Sequence, residues 1–291
     1  MMKNMRSMKT GMMSRMIEFP NDKIKMLQFP ELSESCNISH FVTTRHGGVS
    51  KGTYASFNQG EHCGDDKEAV CMNRLLLSEA IAIPKDRIIA PIQTHKDEVK
   101  VIESSFFSLS NEVQRAYLYG VDALITSLPN VCVAVSTADC VPVLLYAPDV
   151  HVVAAIHAGW RGTILQIVKK VTRSLIEKYG ANPSLMRAGI GPSISVDVFE
   201  VGEEVVEAFY EKGFDLDKVM RRDPESNKAH IDLWEANRLQ LVACGLSGEH
   251  IEIAGICTYT HYEDFFSARR LGVESGRLLS GIALNNQSLK D

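Results

Sequence analysis

The residues with the greatest capacity for chemistry are Cys140, His157 and His95. In VCVAVSTADCVPVLLYAPDVHVVAAIHAGWRGT, residues 131–163, one strand-like run ends in Asp139-Cys140, a second follows, and a third ends in His157 before a Gly-Trp-Arg-Gly turn. Cys140 and His157 therefore fall at strand ends, where loops gather side chains into sites. Taken singly, a Cys or His at such a position is more often packed in the core. His95 shifts that balance, because it lies in IQTHKDEV, a polar turn between strand-like runs that displays its ring. One Cys and two His make a three-ligand zinc set with a fourth position open, as a catalytic rather than a structural site requires. Thiolate and imidazole also suit copper, so ligand type alone does not name the metal. The same residues allow a metal-free reading: Cys140 as nucleophile, His157 or His95 as its base, and Asp139 as an orienting or acid/base group.

Short apolar or β-branched runs at 41–44, 87–92, 99–103, 122–126, 131–136, 142–147 and 152–156 read as the strands that carry these groups. Several are apolar on both faces, the pattern of strands covered on both sides in a layered α/β domain. Over 163–179 Ile164, Leu165, Ile167, Val168, Val171, Leu175 and Ile176 follow helical spacing, and Gly180 supplies the stop. Further helices are expected at 68–82, 202–212 and 232–244, with a late strand at 250–256. The mixture is α/β or α+β. With no repeat, low-complexity linker or charge block, one domain over residues 17–291 is the simplest organisation.

Composition narrows the classes further. The chain has 291 residues, 45% of them apolar and 23% charged, which excludes disorder, collagen and coiled coil. Its formal net charge of −5 leaves no global basic field for nucleic acid or an anionic membrane. No window approaches the roughly 18 apolar residues of a membrane span. Seven cysteines, an odd number without a CxxC pair, read as reduced thiols of the cytoplasm. Residues 1–16, MMKNMRSMKTGMMSRM, lack the apolar stretch of a secretory signal and are expected to be a disordered, basic, Met-rich tail.

Together, TTRHGGVS with SFNQG and HCGDD, then QTH, DALIT, TADCVPVLL, HAGWRGT, GIGPSIS with FEV, and FFSARR resemble the YfiH/YlmD family of laccase-domain proteins, once called multicopper polyphenol oxidases. The motifs run from about residue 40 to about 277 in family order and at family spacing. The resemblance implies a layered α/β/β/α fold with mixed sheets. It also implies a zinc-dependent purine nucleoside phosphorylase acting on adenosine, inosine, guanosine and methylthioadenosine, with adenosine deaminase activity as well. The family's metal ligands fall on His95, Cys140 and His157, the three residues reached above. Asn58-Gln59-Gly60 departs from the family's usual Asn-Leu-Gly, placing a polar side chain where an apolar one is common. Residues 1–16 have no counterpart in the family pattern.

Phosphorolysis needs a phosphate site. GWRGT is one physical candidate, since Gly159 and Gly162 let backbone approach an anion, helix-start N–H groups are free, and Arg161 adds charge. Arg45 beside the glycines of TTRHGG is another, and Arg269 and Arg270 are candidates to clamp phosphate or ribose. Asp139 or His46 is a candidate for handling the proton. Tyr259, Tyr262, Phe265, Phe266 and Trp160 supply aromatic surface near these motifs without marking a base site. Copper oxidation is the weaker alternative, because multicopper clusters use His-x-His pairs and none occurs among the nine histidines. A cytidine-deaminase zinc site is excluded by the lack of Pro-Cys-x-x-Cys. A peptidoglycan-editing role, a label carried by some family members, stands as the alternative outside nucleoside chemistry.

Overall fold

A computed structural model describes residues 16–286 of the chain. Apart from Met16, the expected N-terminal tail lies outside the described residues. Two six-stranded mixed sheets form the centre. The first runs in the order Ile17–Glu18, Met26–Gln28, Ile38–Thr43, Leu278–Leu284, Cys132–Thr137, Ile88–Ile89. The second runs Ile251–Ile253, Arg187–Ile190, Val141–Ala147, Val152–Ala158, Ala123–Thr126, Val99–Val101. Each mixes antiparallel with parallel pairs, such as Ile88 with Cys132 and Ala123 with Val99.

Alternation along the strands explains why they read as apolar on both faces. Val133, Val135 and Ile282 of the first sheet meet Leu144, Tyr146, Val153 and Ala155 of the second in a core between the sheets. The intervening Cys132, Ala134, Leu279 and Ala283 face Leu77 and Ile81 of helix Lys67–Ile81. On the far side Val143, Leu145, Ala154 and Ile156 pack on Val168, Val171 and Leu175 of helix Ile167–Tyr179 and on Leu241 of helix Leu233–Ala243. Period-two side chains thus fill two layers at once, giving the order helix, sheet, sheet, helix.

The anticipated helix over 163–179 is two helices. Trp160–Ile164 stops, Gln166 adopts a left-handed φ of 58°, and Ile167–Tyr179 begins. Gln240 bridges the break, its amide nitrogen donating to the Thr163 carbonyl at 3.0 Å and its oxygen accepting from Lys169 N–H at 3.2 Å. Gly180 ends the second helix with φ 74°, its N–H donating to the Ile176 carbonyl. The runs at 87–92, 99–103 and 250–256 shorten to Ile88–Ile89, Val99–Val101 and Ile251–Ile253. Strands Arg187–Ile190 and Leu278–Leu284, and a small sheet of Glu200–Val201, Ala229–Ile231 and Met220–Arg222, lie outside the sequence expectations. Among the described residues no helix is long and apolar enough to cross a membrane.

Candidate metal centre

Both histidines and the cysteine owe their meeting to the way the chain passes between the sheets. Cys132–Thr137 belongs to the first sheet and Val141–Ala147 to the second, so Ala138-Asp139-Cys140 is a crossing from one layer to the other. The segment from Ile88–Ile89 to Val99–Val101 makes a second crossing in the same direction, and it carries His95. His157 approaches along Val152–Ala158, opposite Pro142 in the antiparallel ladder. As a result one donor atom each from His95, Cys140 and His157 lies within 4.8 Å of the others. The two imidazoles stand edge to face, 4.9 Å between centroids. His157 is buried, Cys140 is partly buried and His95 is exposed, so the cluster opens to solvent on the His95 side.

Local structure explains how each donor is held. Gln93 donates from its amide nitrogen to the Ser136 carbonyl at 2.8 Å and accepts from Ser136 N–H at 2.7 Å, fastening the His95 crossing to the first sheet. His95 has φ 62°, the left-handed region a side chain seldom enters without compensation. That compensation comes from Asp122, fully buried at the head of Ala123–Thr126. Its carboxylate accepts the backbone N–H groups of His95 at 3.0 Å, Lys96 at 2.9 Å and Thr94 at 3.3 Å. The same carboxylate lies 2.7 Å from His157 Nδ1. Gly159 closes the floor: a Cβ there would stand 3.0 Å from Cys140 Sγ and 3.4 Å from His95 Cδ2.

The electrostatics favour the charged forms. Burial pushes the Cys140 thiol up, but the neighbouring His157 charge and hydrogen bonds from His157 and His95 outweigh it and hold its pKa at about 6. Burial would lower His157, yet the Cys140 thiolate and the Asp122 carboxylate raise it to about 9. Burial likewise opposes ionisation of Asp122, and the His157 hydrogen bond and charge overcome it and keep the carboxyl below its usual range. A thiolate beside two imidazoles is a donor set that fits a zinc or copper ion. Among the described residues it is also the one His/Cys/Asp/Glu group that converges this way.

The other anticipated residues are deployed differently. Asp139 is buried next to Cys140, one carboxylate oxygen accepting Thr258 Oγ1 and the other Arg269 N–H, each at 2.7 Å. Arg45 donates through Nε to the Ala55 carbonyl at 2.8 Å and through Nη1 to the Tyr262 carbonyl at 2.6 Å, and its guanidinium covers the Phe266 ring. Arg269 reaches the Glu200 carbonyl at 3.4 Å. Arg270 covers the rings of Tyr259 and Tyr262. Arg161 is exposed on the turn after Gly159 and stacks on Trp160, 4.3 Å from the ring centroid. His46 pairs with Asp264 at 2.9 Å.

Asp122 and Gln93 are missing from the residue roles read in the sequence. An acid directly ahead of the buried run ALIT carries a usable signal, since a carboxylate entering a core requires partners. The Gln of QTH gives none, because its role depends on which strand lies beside it. Asn58 and Asn73 knit the SFNQG and HCGDD motifs together, Asn58 Nδ2 donating to Asp65 at 2.8 Å and Asn73 Nδ2 to Ser50 Oγ and the Asn58 carbonyl at 2.9 Å each.

The family model described as multi-copper polyphenol oxidoreductase laccase matches residues 39–285. A purine nucleoside phosphorylase of Bacteroides thetaiotaomicron is 48% identical over 270 residues, covering 93% of this chain and 100% of that protein. Adenosine deaminase RL5, from an unknown prokaryotic organism, is 41% identical over 260 residues, covering 89% of this chain and 98% of its own length. The crystal structure of the hypothetical protein YfiH of Bacillus licheniformis superposes with a TM-score of 0.83 at 29% identity, covering 92% of this chain and 99% of that one.

Proposed function

The chain belongs to the multi-copper polyphenol oxidoreductase laccase family, and we propose that within it this protein is a zinc-dependent purine nucleoside phosphorylase of the cytoplasm. It would cleave adenosine, inosine, guanosine and methylthioadenosine with phosphate to free base and ribose-1-phosphate, with adenosine deamination as a side activity. The observation that carries the reading is the convergence of His95, Cys140 and His157 on one solvent-open point with the thiol already poised to ionise. The phosphorylase and deaminase names of the relatives at 48% and 41% identity support the substrate class.

When bound by these three side chains, zinc supplies Lewis acidity at the open face. The remaining work belongs to the chain. Asp122 holds both histidine segments, and Gly159 lets the GWRGT turn lie against Cys140. Arg161, exposed in helix Trp160–Ile164 directly after Gly159, is the cation assigned to hold phosphate as the glycosidic bond opens towards an oxocarbenium-like state. Arg45 is anchored through Nε and Nη1 on the Ala55 and Tyr262 carbonyls, which fixes its guanidinium as a second candidate cation for phosphate. Asp139 and the Arg269 N–H couple the donor crossing to the 267–271 segment, on which exposed Arg270 covers the half-buried rings of Tyr259 and Tyr262.

Incubating purified protein with adenosine, with and without phosphate, and scoring adenine, ribose-1-phosphate and inosine tests this. Phosphate-dependent adenine release that disappears in Cys140→Ala and weakens in Arg161→Ala is expected. No free base from wild type, or full activity in Cys140→Ala, refutes it. A metal-free cysteine hydrolase is the second reading, favoured by one observation: the Cys140–His157 pair backed by Asp122 has the order of a nucleophile, base and orienting acid. Amide or ester cleavage through Cys140 by zinc-free protein would support that alternative.

A further inference from the structure

We propose that Asp122 is the positioning residue that builds the ion site from both of its histidines, one through the ring and the other through the backbone. This rests on the metal reading above but assigns a role to a residue outside the donor set. Asp122 lies at the head of Ala123–Thr126, two strands from Cys140, and its carboxylate is fully buried. A carboxylate sealed from water is costly unless its lone pairs are filled. Here every partner belongs to a histidine donor or to its immediate neighbours. Oδ1 is 2.7 Å from His157 Nδ1 and accepts His95 N–H at 3.0 Å, while Oδ2 accepts Lys96 N–H at 2.9 Å and Thr94 N–H at 3.3 Å. The Asp122 backbone carbonyl also accepts His157 N–H at 2.8 Å.

Two consequences follow from one side chain. A hydrogen bond from Nδ1 to the carboxylate fixes a proton on Nδ1 and leaves His157 Nε2 as the nitrogen available to an ion. Three successive N–H groups wrapped on the same carboxylate form an anion nest, which offsets the cost of His95 in the left-handed region and fixes where its ring projects. Asparagine cannot reproduce this arrangement. With its oxygen turned to His157 and His95, its NH₂ faces the N–H groups of Lys96 and Thr94; turned the other way, it opposes His95 N–H and the protonated Nδ1.

The test compares zinc affinity, by chelator competition on folded protein, in wild type, Asp122→Asn and Leu77→Ala. Leu77→Ala is the control for lost stability, because Leu77 is buried against the outer face of the first sheet, away from the site. Asp122→Asn should lose about 10–100-fold in zinc affinity, while Leu77→Ala melts earlier but keeps wild-type affinity. A merely structural Asp122 would lower melting temperature and leave the affinity of the folded fraction unchanged, which overturns the proposal. If Asp122→Asn does not fold, ¹⁵N shifts of the imidazoles in zinc-loaded wild type decide: Nδ1 protonated and Nε2 ligated at His157 is expected, and an Nδ1-ligated His157 overturns it. Wild type that takes up no zinc overturns both this role and the metal reading, whereas zinc uptake equal in wild type and Asp122→Asn overturns this role alone.

Discussion

Replacing Gly159 with alanine tests the donor cluster without altering any donor. The backbone at Gly159, φ −64° and ψ 170°, is open to alanine, so the substitution brings no conformational strain. Its cost falls on the two groups that a new Cβ would meet, Cys140 Sγ at 3.0 Å and His95 Cδ2 at 3.4 Å. Comfortable carbon contacts begin at about 3.5–4.0 Å, so the sulfur must retreat by roughly half an ångström or more. Unloaded donors can relax by that amount. Donors held by an ion cannot, because metal bonds tolerate only about 0.2 Å. Overpacking of this kind costs about 1–3 kcal/mol, and where it is borne only by the loaded state it becomes a loss of about 5–150-fold in zinc affinity. Chelator competition measures that loss, with melting of the unloaded protein as the control. Unchanged affinity in Gly159→Ala would refute the view that this glycine makes room for the donors.

Two further outcomes follow from buried polar groups away from the donors. Burial lowers the pKa of His40 from 6.5 to about 4, and Phe29 N–H donates to His40 Nε2 at 2.8 Å, a bond a protonated ring cannot accept. With the folded pKa depressed, the unfolded chain binds the extra proton first, so stability is intact above pH 6.5 and falls as pH drops towards 4. Urea unfolding across that window should show a loss of up to about 3 kcal/mol, and His40→Ala should remove this pH-dependent part; an unchanged slope in the variant would sink the assignment. Gln59 is fully buried, and its Oε1 has no hydrogen-bond partner among the described residues, while Nε2 makes only a long 3.4 Å contact to the Asn73 carbonyl. Gln59→Leu, which keeps much of the side-chain volume and removes both amide atoms, should therefore gain about 1 kcal/mol and raise the melting temperature by about 2–4 °C, and a lower melting temperature would contradict this account.

The donors were legible in the sequence because each stands where a residue pattern changes. Cys140 and His157 terminate apolar runs, and His95 interrupts two of them with polar residues. Residue type and position suggested them as a set and the family motifs supported it, but spacing along the chain cannot show that two crossings between sheets bring residue 95 to residue 140. Continuous apolar runs likewise announced the doubly covered strands. The break at Gln166 stayed hidden because Ile164, Leu165 and Ile167 continue the helical period across it, and Gln240, which bridges it, comes from far along the chain. Leu278–Leu284 is central in the first sheet, yet its SG interior weakens the strand signal. Asp122 left one local mark, an acid at the mouth of a buried run, but its partners lie on other segments, and Gln93 left none because it acts through the backbone of Ser136.

The two crossings give the centre a mechanical character. His95 travels on a segment stapled to the first sheet through Gln93 and Ser136, and Cys140 on the one that leaves that sheet at Thr137, while His157 is part of the second sheet. An ion shared by the three would act as a rivet through both layers at one end of their common core. Slippage of one sheet along the other would then stretch bonds at the centre, so the ion would add a fixed point to the hold that the shared core already supplies.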